Sequence, residues 1–175
     1  MTLKEWIYRV YPRARWLSKE IMLSYKANDS ILNIGAGYGY LEKNLEKHNI
    51  IITSLEPIKN NDLKDQITES FEKANFDKKF DKIIFSYSFH HLDNPTDSLA
   101  KALSLLTVNG KIFILEIAPK SLLSKIFLFD SRILCQTRKN TWTKSKLEQI
   151  ILVAGGKIME VKKYSTFGNL FVIEK

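Results

Sequence analysis

The chain has a single cysteine, Cys135, and no long hydrophobic run. One cysteine excludes an internal disulfide, and without a CxxC partner it indicates no cysteine-based metal site. No apolar segment of the sequence reaches the roughly 18 residues that a membrane-spanning helix requires. No N-terminal signal with a small-residue cleavage site is evident either. We therefore expect a cytoplasmic protein with no transmembrane segment.

Size and composition favour one folding unit. With 175 residues and 45% hydrophobic content, the chain can bury one sizeable core but is too short for two ordinary domains. We predict a single domain over residues 1–175. Within it, residues 1–28 are expected to form an N-terminal helical cap and residues 118–142 a helical insertion.

The net charge of +8 comes mainly from lysines scattered along the chain, which is typical of a solvated surface. One cluster interleaves cations with aromatic rings: Lys4, Arg9, Arg13, Arg15 and Lys19 among Trp6, Tyr8, Tyr11 and Trp16. Such a mixture could bind nucleic acid through phosphate contacts and base stacking. An amphipathic helix pair with core aromatics explains it as well and is favoured. Nucleic acid is therefore a possible partner, but not the favoured one.

Three closely spaced glycines join a short apolar segment to a helical pattern. Residues 31–34 are typical of a buried strand, and Leu41 and Leu45 share one helix face. At Gly35, Gly37 and Gly39 the missing Cβ allows positive φ, and it lets a ligand lie against the backbone beside the free amides of the following helix. This arrangement predicts a nucleotide-binding turn.

Further along the chain, strand and helix patterns alternate. We predict two helical pieces within 2–26, helices at about 38–47, 94–106, 121–135 and 144–154, and strands at 30–34, 50–55, 65–68, 80–88, 111–117, 157–163 and 168–174. Asn109-Gly110 is predicted to end the helix at about 94–106. Alternation implies a parallel sheet with helices on both faces, a doubly wound α/β fold. The last two strands are too close in sequence for a parallel crossover, so they should pair antiparallel.

The segment Asn33-Ile-Gly35-Ala-Gly37-Tyr-Gly39 resembles the first motif of the class I S-adenosylmethionine-dependent methyltransferases, an acidic residue followed by x-Gly-x-Gly-x-Gly. Only Asn33 departs from it, because its amide carries no charge. A dinucleotide fingerprint fits less well, since Tyr40 stands where its last glycine should be. The resemblance runs from residue 30 onward. It implies S-adenosylmethionine as cofactor and a seven-stranded, mostly parallel sheet of order 3-2-1-4-5-7-6 with the last strand antiparallel.

The resemblance also implies a set of cofactor-binding residues. The turn itself supplies Asn33, Gly35, Ala36, Gly37, Tyr38 and Gly39. Glu56, followed by Pro57, closes the second strand, where a carboxylate can accept both ribose hydroxyls. Glu69 and Ser70 correspond to the adenine-binding region, and Ser86 and Tyr87 to the methionine end of the cofactor. All of these positions lie at the carboxyl ends of strands, and these ends meet at one edge of such a sheet.

His90 and His91 follow the fourth strand, where the resemblance places the methyl acceptor. A histidine there could accept a proton from an acceptor hydroxyl or amine, because its ordinary pKa is about 6.5. The alternative is a histidine that only bonds to backbone at the start of a helix. No third ligand is in view, so we expect no metal site.

These residues predict an S-adenosylmethionine-dependent methyltransferase that acts on a small-molecule acceptor by direct displacement. The helical segment 118–142 would then decorate the substrate side. Three alternatives stay open: an RNA or protein methyltransferase, a non-catalytic methyltransferase-like binding subunit, and an NAD-dependent oxidoreductase. The N-terminal aromatic and basic cluster favours the first of these, and Asn33 favours the second.

Overall fold

The computed structural model describes residues 12–48, 50, 52–117, 142–165 and 168–175. Its helices are α1 (Pro12–Met22), α2 (Tyr40–Glu46), α3 (Pro95–Ser104) and α4 (Lys144–Val153). Its strands are β1 (Ile31–Ile34), β2 (Ile52–Leu55), β3 (Gln66–Ile67), β4 (Phe80–Ser86), β5 (Leu106–Ile117), β6 (Lys157–Lys163) and β7 (Gly168–Glu174). The predicted first N-terminal helical piece, the helix at 121–135 and almost all of the predicted insertion lie outside the described residues.

The seven strands form one sheet in the order β3-β2-β1-β4-β5-β7-β6. β1 to β5 run parallel to one another, whereas β7 pairs antiparallel with both β5 and β6. The predicted fold class, strand order and reversed last strand are therefore confirmed. Because the order reverses on either side of β1, the carboxyl ends of β1 and β4 border a crevice at that edge of the sheet.

One boundary prediction is wrong. Asn109-Gly110 does not end a helix, because α3 stops at Ser104 and β5 begins at Leu106. Phe80 N–H donates to the Leu105 carbonyl at 2.8 Å, which starts the pairing of β4 with β5 earlier than predicted. The register then shifts between Phe80 and Lys82. Asn109-Gly110 lies in that irregular stretch. The turn-forming pair is therefore accommodated by an irregularity within β5 and does not end a helix.

Two helix starts follow from their capping residues. The Asn94 side chain accepts a hydrogen bond from Asp97 N–H at the start of α3, with Pro95 in the first turn. The Thr143 hydroxyl accepts one from Lys146 N–H at 3.2 Å at the start of α4. Each bond satisfies a backbone donor that lacks a partner inside the helix.

Alternate residues of the central strands bury opposite faces of the sheet. Leu32 and Phe85 pack in the core beneath α3 and α4, while Ile31 and Ile84 pack in the core beneath α1 and α2. This follows from the two-residue period of a strand. Each such fully buried side chain stabilises the fold by about 1.5–3 kcal/mol. Asn33 has the same parity as Ile31, so it faces the α2 side.

Helix α1 is amphipathic, as the favoured interpretation of the N-terminal cluster requires. Leu17 and Ile21 are fully buried, while Arg15 and Lys19 are exposed. The Trp16 ring packs on Tyr164 at 5.0 Å between centroids. Among the helices that the structure describes, none is both long and apolar enough to cross a membrane.

Candidate functional site

The three glycines of the β1–α2 turn all have positive φ, but they serve different purposes. A Cβ on Gly35 would lie 2.3 Å from Ser88 Cβ, and one on Gly39 would lie 2.7 Å from Leu63 Cδ2. These two glycines permit close packing. A Cβ on Gly37, at φ 56°, would meet no protein atom within 4 Å. Gly37 is therefore the position where the turn leaves its backbone open.

The turn borders a cavity of about 790 Å³ at the carboxyl ends of β1, β2, β4 and β5. Most residues predicted for the site line it: Asn33, Gly35, Ala36, Gly37, Tyr38, Glu56, Pro57, Ser70, Ser86, Tyr87, His90 and His91. Gly39 and Glu69 are not among the lining residues, whereas Phe71 and Glu72 are. The structure thus brings residues from five separate segments around one space, as the predicted sheet edge requires.

Glu56 ties the end of β2 to the glycine turn. Its Oε2 accepts a hydrogen bond from Gly37 N–H at 2.9 Å. Asn60 Nδ2 donates to the Gly37 carbonyl at 2.9 Å, so the N–H and the C=O of Gly37 both bond to the β2–β3 connection. Gln66 Nε2 in turn donates to the Glu56 carbonyl at 2.9 Å. These contacts fix the carboxylate at the rim of the cavity beside the open glycine.

Beneath the turn, Asn33 belongs to a buried polar group that the sequence analysis missed. Its Nδ2 donates to Glu42 Oε1 at 2.7 Å, and the Ser54 hydroxyl donates to the same oxygen at 2.8 Å. Asn33 and Ser54 are register partners on β1 and β2, and Glu42 reaches them from α2. Asn33 Oδ1 and Glu42 Oε2 have no hydrogen-bond partner among the described residues. The signal in the sequence was a charged residue beside Leu41 on an otherwise apolar helix face.

Burial raises the pKa of the Glu42 carboxyl above its ordinary value of 4.5. The hydrogen bonds from Asn33 and Ser54 oppose this shift, because they favour the ionised form. Since burial is the larger influence, the carboxyl resists ionisation. A carboxyl nevertheless stands next to the position where the family motif has its acidic residue.

The segment after β4 turns sharply into the cavity. Tyr87 has φ 56°, a backbone conformation that a residue with a side chain rarely adopts. Its N–H donates to the Leu115 carbonyl at 2.8 Å, and the Arg13 guanidinium lies 4.2 Å from the centroid of its ring. The Ser88 hydroxyl donates to the Ile34 carbonyl. These contacts join β4, β5, β1 and α1 at one wall of the cavity.

His90 is paired with Glu116, a second residue that the sequence analysis missed. His90 Nδ1 lies 2.8 Å from Glu116 Oε2, and the backbone N–H of His90 donates to the same oxygen at 3.2 Å. Ile117 N–H donates to Glu116 Oε1 at 2.8 Å. His90 is 5% exposed and Glu116 is fully buried. His90 Nε2 has no hydrogen-bond partner among the described residues, and the ring lines the cavity.

His91 lies beside this pair, with its ring centroid 4.1 Å from that of His90, and it lines the same cavity. The signal for Glu116 was an acidic residue inside the apolar strand Ile112–Ile117. Because a buried carboxylate needs donors, that residue implied a partner from a neighbouring element. The sequence could not say which element provides it.

Residues 8–155 match the family model of a methyltransferase domain, which is most of the chain. A search of curated proteins gives no match. Since the matched region includes the glycine turn, β4 and the paired His90 and Glu116, the family covers every part of the cavity that β1 to β5 supply.

Solved structures resemble the whole fold. A Nostoc punctiforme protein assigned as an O-methyltransferase gives a TM-score of 0.78 at 17% identity, over 97% of this chain and 59% of that one. A Haloferax volcanii protein assigned as a methyltransferase, in complex with the Trm112 methyltransferase activator, gives 0.76 at 14% identity over 97% and 91%.

An S-adenosylmethionine-dependent methyltransferase from Clostridium acetobutylicum gives a TM-score of 0.69 at 10% identity, over 93% of this chain and 90% of that one. Identities this low show the fold alone. Together with the family match, they show that the chain belongs to the methyltransferase domain family and has the class I methyltransferase fold.

Proposed function

We propose that the protein is an S-adenosylmethionine-dependent methyltransferase with a small-molecule acceptor. The observation that carries the proposal is the open backbone at Gly37, joined to the Glu56 carboxylate at the rim of a 790 Å³ cavity. A Cβ at Gly37 would fill space that no protein atom uses, which is what a ligand-binding glycine requires. Membership of the methyltransferase domain family supports the same function.

The residues around the cavity fit this cofactor. We assign the ribose to Glu56 and Pro57, because a carboxylate accepts from two hydroxyls. The backbone of Gly35, Ala36, Gly37 and Tyr38 would hold the amino-acid part, with Ser86 and Tyr87 at the methionine end, while Gly39 would only allow the turn to pack against Leu63. Asn33 lines the cavity beside this turn, so we place the ammonium group next to it. The adenine would lie near Ser70, while Glu69 does not line the cavity.

Bound S-adenosylmethionine would supply a methyl group that its sulfonium makes electrophilic. The protein's own task is to align the acceptor and exclude water, and alignment alone can lower a barrier by about 7–11 kcal/mol. The cavity is large enough for a cofactor and a small acceptor together, since ligand sites commonly occupy about 300–1,000 Å³. His90 and His91 lie where the acceptor would enter, so we assign them to its activation.

Two glycines offer a matched test. Gly37 and Gly155 both have positive φ, and a Cβ on either would meet no protein atom within 4 Å. Alanine at either position should therefore cost about 1–2 kcal/mol of backbone strain. Only Gly37 lines the cavity. In calorimetric titrations with S-adenosylmethionine, we expect Gly37→Ala to weaken binding at least about tenfold, about 1.4 kcal/mol, and Gly155→Ala to leave it unchanged.

Each outcome of this titration decides a separate point. A wild-type protein that gives no heat at millimolar S-adenosylmethionine would refute the cofactor. Equal affinities of the two variants would show that Gly37 does not contact the cofactor. Cofactor binding without transfer to any of a wide range of acceptors would favour the non-catalytic alternative.

A further inference from the structure

One wall of the cavity is a single helical turn that follows β3. Ser70, Phe71 and Glu72 line the cavity from this turn. Lys73 N–H and Ala74 N–H both donate to the Ser70 carbonyl, at 3.1 and 3.0 Å. The chain leaves the helical path at Ala74. The carbonyls at the end of this 70–74 turn therefore lack the donors that a longer helix would provide.

Lys101 supplies those donors from the last turn of α3. Its Nζ donates to the carbonyls of Phe71 at 2.7 Å, Glu72 at 3.2 Å and Ala74 at 2.6 Å. An ammonium group has three N–H donors, so these bonds use all of them. Hydrogen bonds from a charged donor are also stronger than those between neutral groups. One side chain thus ties the 70–74 turn to a helix that lies about thirty residues further along the chain.

The other anchor of the turn is apolar. The Phe71 ring is 2% exposed and packs edge-on against Phe85 of β4, with 5.9 Å between centroids. The Lys101 ammonium lies 5.0 Å from the centroid of the same ring. A buried ring fixes the turn at one point but leaves its polar backbone free to rotate about that point. The three hydrogen bonds of Lys101 therefore determine the orientation of the turn.

Orientation matters for a wall that meets a purine. Adenine presents an amine donor at N6, where hypoxanthine presents a carbonyl oxygen. Hydrogen-bonding groups at fixed positions reject the base that does not match them, because the wrong base leaves them unpaired. Ser70 and Glu72 are the polar residues of the turn that line the cavity. Their positions depend on the backbone that Lys101 holds.

We propose that Lys101 is the positioning residue of the base-binding wall, and that the site selects adenine over other purines because Lys101 holds the 70–74 turn in one orientation. This inference rests on the proposed function, which places the adenine near Ser70. Lys101 is not among the described residues that line the cavity, so it acts through the turn.

The hold on the turn can be tested without a ligand. Lys101→Met keeps an unbranched stem and removes the charge with its three donors. Lys79→Met is the matched control, since exposed Lys79 donates to the Ser104 carbonyl at the end of the same helix. In Lys101→Met we expect hydrogen exchange of the Lys73 and Ala74 amides to become at least about tenfold faster, the size of one lost charged hydrogen bond. Lys79→Met should exchange as wild type. Unchanged exchange in Lys101→Met would overturn the proposal.

Selection of the base is measured by calorimetric titration with S-adenosylhomocysteine and with S-inosylhomocysteine, in which hypoxanthine replaces adenine. We expect wild type and Lys79→Met to prefer adenine by at least about tenfold, and Lys101→Met to lose most of this preference. Unfolded protein would lower both affinities by the same factor, so their ratio reports on the wall and not on stability. Lys101→Arg keeps charged donors and should keep part of the preference. A wild-type ratio in Lys101→Met, or a wild type without preference, would contradict the proposed role.

The two proposals fail separately. If S-adenosylhomocysteine does not bind the wild-type protein, the proposed function is wrong, and the base-binding role of Lys101 falls with it. If the ligand binds and Lys101→Met leaves the ratio unchanged, the proposed function stands and only the role of Lys101 is wrong.

Discussion

Two buried glutamates each contact a residue that lines the cavity, Asn33 for Glu42 and His90 for Glu116, and their surroundings differ. Glu42 is 5% exposed and lies beneath the glycine turn. Glu116 is fully buried beside His90. Among the described residues, Glu42 accepts two hydrogen bonds on Oε1 and none on Oε2. Glu116 accepts bonds on both oxygens, from His90 and from Ile117.

This difference indicates two uses of a buried acid. Glu116 receives donors on both oxygens, which satisfies both ends of the buried carboxyl group. A carboxyl with one bare oxygen is poorly compensated, and burial raises the pKa of Glu42 accordingly. In each case a neighbouring side chain, His90 or Asn33, lines the cavity, and one of its polar atoms has no hydrogen-bond partner in the described part of the chain. The buried acid thus orients the residue that faces the ligand.

The same substitution at both positions breaks this comparison most strongly. In Glu116→Gln, whichever way the amide turns, its NH₂ group faces an N–H donor from His90 or Ile117. We expect the free energy of unfolding to fall by about 3 kcal/mol, because a buried charged network loses an acceptor. Urea denaturation would measure it, with Glu42→Gln as the matched control. If both variants were equally stable, the hydrogen bonds to both oxygens of Glu116 would not distinguish it from Glu42.

Restoring the acidic residue of the family motif should also be costly. Asn33→Asp would put a second carboxyl where Asn33 Nδ2 now lies, 2.7 Å from Glu42 Oε1. Two carboxylates at that distance must share a proton, so we expect a loss of about 2 kcal/mol at neutral pH, at the level of a lost charged hydrogen bond. The double variant Asn33→Asp with Glu42→Gln should regain most of it. Additive losses in this double-mutant cycle would contradict the contact.

The smallest expected effect is that of Glu42→Gln, and the sign of its change in stability with pH tests the account of Glu42. In Glu42→Gln, the amide oxygen keeps both acceptor bonds and the NH₂ group replaces the bare Oε2. The folded pKa of Glu42 lies above 4.5, so its contribution to stability is fully present at low pH and is lost as pH rises from about 4.5 through the folded value. Glu42→Gln should not show this loss.

Denaturation curves at several pH values would measure this difference between wild type and Glu42→Gln. We expect the variant to gain relative stability as the pH rises, and to be the more stable protein at neutral pH. A variant that loses relative stability across the same range would show that Glu42 is stabilised as an ion.

The sequence predicted the sheet and the glycine turn because their signals are local. Ile31 and Leu32 alternate between faces, and the spacing of Gly35, Gly37 and Gly39 is fixed by one short turn. The partners of the buried acids are not local: Glu42 meets Asn33 from the next element, and Glu116 meets His90 across two strands. Each acid was visible as a charge in an apolar pattern, but only the packed sheet determines which donor reaches it. The start of β5 was missed since pairing with Phe80 outweighs the turn preference of Asn109-Gly110.

The most direct test of the account is a crystal structure with S-adenosylhomocysteine. We expect its ribose at Glu56 beside Gly37, its ammonium group near Asn33, and its sulfur directed toward the part of the cavity that His90 lines. A ligand bound outside this cavity, or a sulfur directed away from His90, would contradict the account in which the residues beside the two buried acids line one methyl-transfer site.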